Sequence, residues 1–358
     1  MRVLVVSTWF PTADRPGVAP FNVAHAGAIA RTHDVEVVHL RLGGTGRIQE
    51  REVAGLPVTE LPATPAAMLA GYRELRRLAR GADVVHSMAF STLGVLAPLF
   101  PVVGGRWVHT EHWSGVAFPD RVGGAWPHLA GARHLLRLPR RVGAVSSVLA
   151  DTVAKFARRD AVEVIPCVVA DRFQPAPQPS WTPLKLVAVG GLVAGKRPVL
   201  AVDTMRELVD TGTDATLTWV GDGVLRGEVE RRIAELGLAD RVHLAGAVRP
   251  DEVADHLRAA NLFFLPTAFE TFLAAGAEAI ACGRPVVLPG TGGFTDYVTD
   301  ANGVLTEQDD PTALAMGVRR ARDRFADVSA DTIRATVIPR FGAAAIADRF
   351  DEFYRHLG

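Results

Sequence analysis

The chain is short of cysteine, lysine, net charge and long apolar runs, and each shortage closes off a class of protein. Cys167 and Cys282 are the only cysteines in 358 residues, and both sit in apolar surroundings. A disulfide framework or a structural zinc site is therefore not expected, and a reducing cytoplasm fits. Formal net charge is zero, which argues against a nucleic-acid binder held by bulk charge. No apolar run reaches the ~18 uninterrupted residues of a membrane span, and the first apolar segment, 2–6, is too short for a signal peptide. The expectation is a cytoplasmic protein that is not integral to a membrane. What the chain does have is 48% hydrophobic and 22% charged residues, the balance of a soluble, enzyme-sized protein. Its length suits two domains of roughly 170 residues each.

One pattern is used twice. Residues 1–7 read as a buried strand, followed by a polar loop to Pro20 and a helix over 22–31. Further strands are predicted at 35–40, 84–87, 107–110, 143–145 and 162–165, with helices at 66–80 and 147–157 among the connections. This alternation implies an α/β fold with a parallel sheet covered by helices on both faces. A proline-rich stretch, 175–183, resembles a linker, and the pattern restarts after it. Strands are expected at 184–189, 216–220, 242–245, 262–265 and 285–288, with helices at 198–210 and 225–236. The resulting division is an N-terminal Rossmann-like domain over 1–174, the linker 175–183, a second Rossmann-like domain over 184–341, and a terminal segment 342–358. In that segment Phe350, Phe353 and Tyr354 fall at helical spacing, as for a helix packing back across the junction. Ligands of such sheets bind outside the carboxyl ends of the strands, so two facing halves would define one cleft.

The densest chemical signal is Phe269-Glu270-Thr271-Phe272-Leu273-Ala274-Ala275-Gly276-Ala277-Glu278. Two carboxylates eight apart open an otherwise apolar, Ala-rich helix and need polar partners. Glu270 falls in the turn after a buried strand, and Glu278 is expected about two turns into the helix. At helical rise they would stand ~12 Å apart, about the reach of a nucleotide-sugar.

Glycine-rich loops follow three strands of the same half. Gly190-Gly191-Leu192-Val193-Ala194-Gly195-Lys196-Arg197 offers backbone N–H groups and a cation to a diphosphate, or is a solvated turn before the next helix. Only three of the 39 basic residues are lysines, so Lys196 in this loop points to a wanted ammonium. Gly221-Asp222-Gly223 permits close backbone approach or is a tight turn, and Gly290-Thr291-Gly292-Gly293 is a third such loop. In the first half, Gly17 precedes a helix and would let backbone approach a ligand. His109, Glu111 and His112 end a strand, where they would orient a hydroxyl, support developing charge, or ligate a metal. No His/Cys/Asp cluster completes a metal site. The basic stretches 73–80 and 133–141 suit a solvated helix face or peripheral contact with an anionic membrane at the inner face.

These motifs, in this order, resemble retaining glycosyltransferases of the two-Rossmann GT-B fold, specifically glycosyltransferase family 4, over essentially the whole chain. Glu270 and Glu278 are similar to that family's Glu-x7-Glu signature, Gly190 to Lys196 to its phosphate loop, Gly17 to its glycine loop and His112 to its cleft histidine. Glu111-His112-Trp113-Ser114-Gly115 is similar to polysaccharide- and teichuronic-acid-type members. The resemblance implies that Glu270 and His112 act at the donor sugar, Glu278 at the ribose and Lys196 at the diphosphate. Gly191, Arg197, Gly221, Thr271, Phe272 and Leu273 would line the donor site. It implies transfer with retained configuration to a hydroxyl acceptor, such as a glycan or lipid intermediate or a natural product. No metal is obligatory, and the nucleotide-sugar is a substrate. Two residues depart from the pattern: Gly191 replaces a phosphate-binding arginine, and Leu273 replaces a glycine. A nucleotide-sugar-modifying enzyme such as an epimerase, or a catalytically silent donor-binding subunit, are the alternative readings.

Overall fold

Runs of Val, Leu and Ile without polar interruption can be buried on both faces, and nearly every such run forms an interior strand of a parallel sheet. A computed structural model describes residues 1–12, 15, 17–41, 47–62, 68–122, 124–355 and 357. Pro16 of the expected glycine loop and residues 66–67 of the expected helix lie outside the described residues. The chain forms two units, Met1–Val168 with Ala343–Gly358, and Val169–Gly342.

In the first unit the strands are β1 (Arg2–Ser7), β2 (Asp34–Arg41), β3 (Gln49–Val53), β4 (Leu56–Pro62), β5 (Val84–Met88), β6 (Trp107–Glu111), β7 (Arg141–Ala144) and β8 (Val162–Val164). Their order is β3-β4-β2-β1-β5-β6-β7-β8. All neighbours are parallel except the β3–β4 hairpin. That hairpin carries no sequence signal, because β3 lacks an apolar run and its turn is Ala54-Gly55 rather than an Asn-Gly signal. Both turn residues take positive φ, 51° and 80°, as a type I′ turn requires.

The helix Ala343–Arg355 completes this unit. Phe350, Phe353 and Tyr354 are buried in the same core as Ala26 and Ile29 of the helix Pro20–Ile29. Each such aromatic contributes ~2–3 kcal/mol through burial. Tyr354 is further tied by its hydroxyl, 2.6 Å from His86 Nδ1.

The second unit holds β9 (Leu184–Val189), β10 (Ala215–Val220), β11 (Val242–Gly246), β12 (Leu262–Phe264), β13 (Val286–Pro289) and β14 (Gly303–Thr306), in the order β11-β10-β9-β12-β13-β14. All are parallel. The chain runs outward from β9 to β11, then returns to β12 on β9's other side. That reversal creates a switch point between β9 and β12, where the loops after these two strands diverge. The stretch 175–183, expected as a linker, belongs to this unit. Buried Arg284 donates to the Pro177 carbonyl at 3.0 Å, Asn261 to that of Pro179 at 3.0 Å, and Gln178 donates to the Gly283 carbonyl at 2.9 Å.

Candidate active site

The loops that leave β9 and β12 are joined by side chains. The β9 loop turns through Gly190 (φ 155°), makes a short 3-10 turn over Ala194–Lys196 and enters the helix Pro198–Asp210. Lys196 folds back over Gly190, where an added Cβ would lie 3.3 Å from Lys196 Cε. Its Nζ forms an ion pair with Glu270 Oε1 on the β12 loop. Thr267 Oγ1 stands 2.8 Å from the same carboxylate oxygen, and Ala268 N–H donates to the Gly195 carbonyl at 2.9 Å. A third loop joins them, since Gly293 N–H donates to the Glu270 carbonyl at 2.8 Å. Three strand-end loops thus meet around one half-buried carboxylate–ammonium pair.

Gly221 makes close packing of this edge possible. Its φ is 131°, and a Cβ there would stand 2.1 Å from the Gly190 carbonyl oxygen. Gly191 is different in kind. The nearest atom to an added Cβ is the Asp222 carbonyl oxygen at 3.4 Å, so a larger side chain has room. Arg197 does not fill the missing arginine's place, because its guanidinium is paired with Asp309.

The helix that carries Glu278 begins later than the spacing predicts. It spans Ala274–Ala281, with Leu273 as its N-cap, so Glu278 lies just over one turn in, not two. Residues 270–273 are non-helical, and the ~12 Å helical separation of the two carboxylates therefore does not apply. Leu273 adopts the left-handed conformation (φ 65°, ψ 71°), unusual for a non-glycine residue and costing ~1–2 kcal/mol. Packing offsets it. The Leu273 side chain is buried beside Gly276, and its carbonyl accepts from Tyr297 Oη at 2.7 Å. Phe272 is likewise buried, with its ring 5.2 Å from Tyr297 and 5.7 Å from Phe341. Only the backbone of Phe272 and Leu273 is left to meet a ligand, while Thr271 is half-buried.

The Glu278 side chain is half-buried, and its carboxylate makes no hydrogen bond or ion pair among the described residues. Desolvation raises its pKa from 4.5 to about 7, with the positive charge of Arg172 opposing. An unpartnered carboxylate of this kind is poised to accept hydroxyl donors from a ligand.

In the first unit Gly17 is exposed at the loop after β1, and an added Cβ meets nothing within 4 Å. His112 follows β6 and is buried, its ring flanked by Phe21 and His25, each with centroids 4.9 Å away. Burial first, and then the nearby histidines, lower its pKa well below the ordinary value. Neutral imidazole can orient a hydroxyl but cannot itself carry positive charge near neutral pH. His109 and Glu111 are fully buried and face each other rather than solvent.

Several contributors have no sequence signal. Thr267 and Asp309 are 3 and 112 residues from the side chains they contact, and neither belongs to a motif. Among the described residues no group of His, Cys, Asp and Glu could hold a metal ion, and no helix is long and apolar enough to cross a membrane.

Two doubly wound, mainly parallel sheets, with glycine-rich loops at their strand ends, are the architecture shared with solved GT-B glycosyltransferases. The chain belongs to that enzyme class at the level of family. Residues 5–172 match the Glycosyltransferase Family 4 model, and 183–323 match that of glycosyl transferases group 1. It is 31% identical to the 2-deoxystreptamine N-acetyl-D-glucosaminyltransferase of Streptomyces fradiae, covering 81% of this chain and 74% of that protein. Over 37% of this chain it is 36% identical to the D-inositol 3-phosphate glycosyltransferase of Thermobispora bispora, covering 32% of that protein. Among solved structures, Anabaena HepE in complex with UDP and glucose superposes with a TM-score of 0.78 at 19% identity, covering 99% of this chain and 100% of that one.

Proposed function

We propose that this glycosyltransferase works with retention of anomeric configuration, moving a sugar from a nucleoside-diphosphate donor to a hydroxyl of a cyclitol-class acceptor. The observation that carries the donor site is the Lys196–Glu270 pair at the β9/β12 switch point, with unpartnered Glu278 on the helix that follows. Lys196 meets the diphosphate, where negative charge grows as the bond to the sugar breaks. The backbone N–H groups of Gly191 and of Ala274 and Ala275, at the start of the Ala274–Ala281 helix, meet the same charge. Glu270 holds donor-sugar hydroxyls and Glu278 the ribose hydroxyls. Gly221 keeps the loop edge low enough for the ligand to approach. His112 contributes to the transfer as a neutral imidazole. The Glu-x7-Glu spacing supports retention. The cyclitol acceptor is supported by the relatives named for 2-deoxystreptamine and inositol 3-phosphate.

The test has two stages. UDP-glucose, UDP-N-acetylglucosamine and GDP-mannose are screened by thermal shift, since a bound ligand raises apparent stability by mass action. Donors that bind are then offered with 2-deoxystreptamine or D-inositol 3-phosphate, and the product's anomeric proton coupling is read by NMR. Stabilisation, turnover and a retained anomer are expected. An inverted product refutes retention, and failure of every donor to stabilise refutes the donor site. A silent donor-binding subunit is the second reading, supported by Gly191 and by the engagement of Arg197 with Asp309. Stabilisation by a donor, with turnover of neither that donor nor an acceptor, would favour it.

A further inference from the structure

The end of β6 contains a buried polar network that the proposed donor site does not use. Trp107 Nε1–H donates to Ser87 Oγ at 2.8 Å, and Ser87 Oγ lies 2.8 Å from His109 Nδ1 and 3.3 Å from the Val108 carbonyl oxygen. A serine hydroxyl has one proton, and the shorter contact assigns it to Nδ1. The imidazole proton then sits on Nε2, which donates to Glu111 Oε2 at 3.2 Å. Glu111 Oε1 accepts the backbone N–H groups of both His112 and Trp113, each at 2.9 Å. Ser87, His109 and Glu111 are all 0% exposed. A fully buried carboxylate is thus satisfied by three N–H donors with no Lys or Arg partner among the described residues, an arrangement that offsets desolvation only while all three stay in place.

We infer that Glu111 is a positioning residue for His112. Its carboxylate fixes the peptide turn at His112 and Trp113, and the turn sets the direction of the His112 ring. The ring side is consistent with this role. Phe21 and His25, both on the helix Pro20–Ile29, pack against the imidazole, so a shift of the turn would pull it away from both rings. The next residue is held as tightly. The Trp113 indole lies across Gly115, where an added Cβ would stand 2.5 Å from the ring, and packs 4.7 Å from Trp126. The chain from Trp107 through Ser87 and His109 locks the tautomer that keeps a donor pointed at Glu111. The inference rests on the proposed part of His112 in the transfer.

Glu111→Gln, His112→Ala and the double variant test it, with Ser87→Ala as a milder disturbance should Glu111→Gln fail to fold. Glutamine presents an NH2 where a carboxylate oxygen accepted, so at least one N–H loses its partner. With the donor and acceptor that the wild type turns over best, Glu111→Gln is expected to lower kcat roughly tenfold or more while donor KM stays within about twofold. Adding it to His112→Ala should cost less than about twofold further. Amide exchange at His112 and Trp113 should quicken, and NMR cross-peaks between the His112 and Phe21 rings should weaken. Ser87→Ala should show the same pattern at smaller amplitude. An equal loss with and without His112, or unchanged exchange and ring contacts, overturns the inference. If the wild type turns over no donor, the functional reading fails instead, and exchange and ring contacts still decide whether Glu111 positions His112.

Discussion

Lys196 and Glu270, seventy-four residues apart in the chain, share an ion pair that closes the β9 loop onto the β12 loop. In the proposed donor site a ligand diphosphate would compete with the Glu270 carboxylate for the ammonium, and the pair would couple the phosphate and sugar parts of the donor. Lys196→Ala removes the charge and frees Glu270. Affinity for the nucleoside diphosphate should fall by ~1.5–3 kcal/mol, the worth of a hydrogen bond to a charged group. Calorimetry with UDP and GDP checks this, and unchanged affinity would move the phosphate site elsewhere.

Glu278 makes stability depend on pH in a stated direction. Its folded pKa of about 7 lies above the unfolded value of 4.5. Between those values the folded state binds more protons than the unfolded one, so stability falls as pH rises through the window. Glu278→Gln removes the effect. Thermal melts at pH 4.5 and 7.5 should show the variant gaining on the wild type at the higher pH, while its affinity for the nucleotide drops.

Gly191→Arg restores a guanidinium where the family has one. The position has no positive φ, and the nearest obstacle to a Cβ is 3.4 Å away, so the backbone accepts the change. A bidentate fork on the diphosphate should tighten donor binding by about tenfold. Titration of both proteins with the same nucleotide-sugar decides it; weaker binding by the arginine variant would show that the loop presents this position away from the phosphate.

Gly221→Ala should fail in two ways. A Cβ would collide with the Gly190 carbonyl oxygen at 2.1 Å, on a residue held at φ 131°. A loss of at least ~2 kcal/mol in chemical denaturation is expected, together with donor affinity. Wild-type stability would mean that the two loops are further apart in solution.

The parallel strands were legible because buried strands need uninterrupted apolar runs, and such runs are visible in a single sequence. Eleven of the strands follow from them, from β1 at Arg2–Ser7 to β13 at Val286–Pro289. The β3–β4 hairpin and β14 were not legible, since β3 is solvent-facing and β14, Gly303–Thr306, offers an apolar run of only Val304 and Leu305. The start of the acidic helix was misplaced by the same local reasoning. Nothing in Glu270-Thr271-Phe272-Leu273 forbids helix, and it is the left-handed Leu273, held by Tyr297 and Gly276, that delays it.

By itself the sequence determined the repeated α/β pattern, the family and the residue types of the proposed donor site, because spacing and patterning are local properties of the chain. The tertiary structure alone decided which charges are spent and which remain available. Arg197 is occupied by Asp309, Lys196 is shared with Glu270, and Glu278 stands unpartnered with a raised pKa. Glu111, a reactive group by its spacing, is a buried anchor for backbone N–H groups. These outcomes depend on burial and on partners distant in sequence, which set the free energy of a charge and have no signature in its neighbours along the chain.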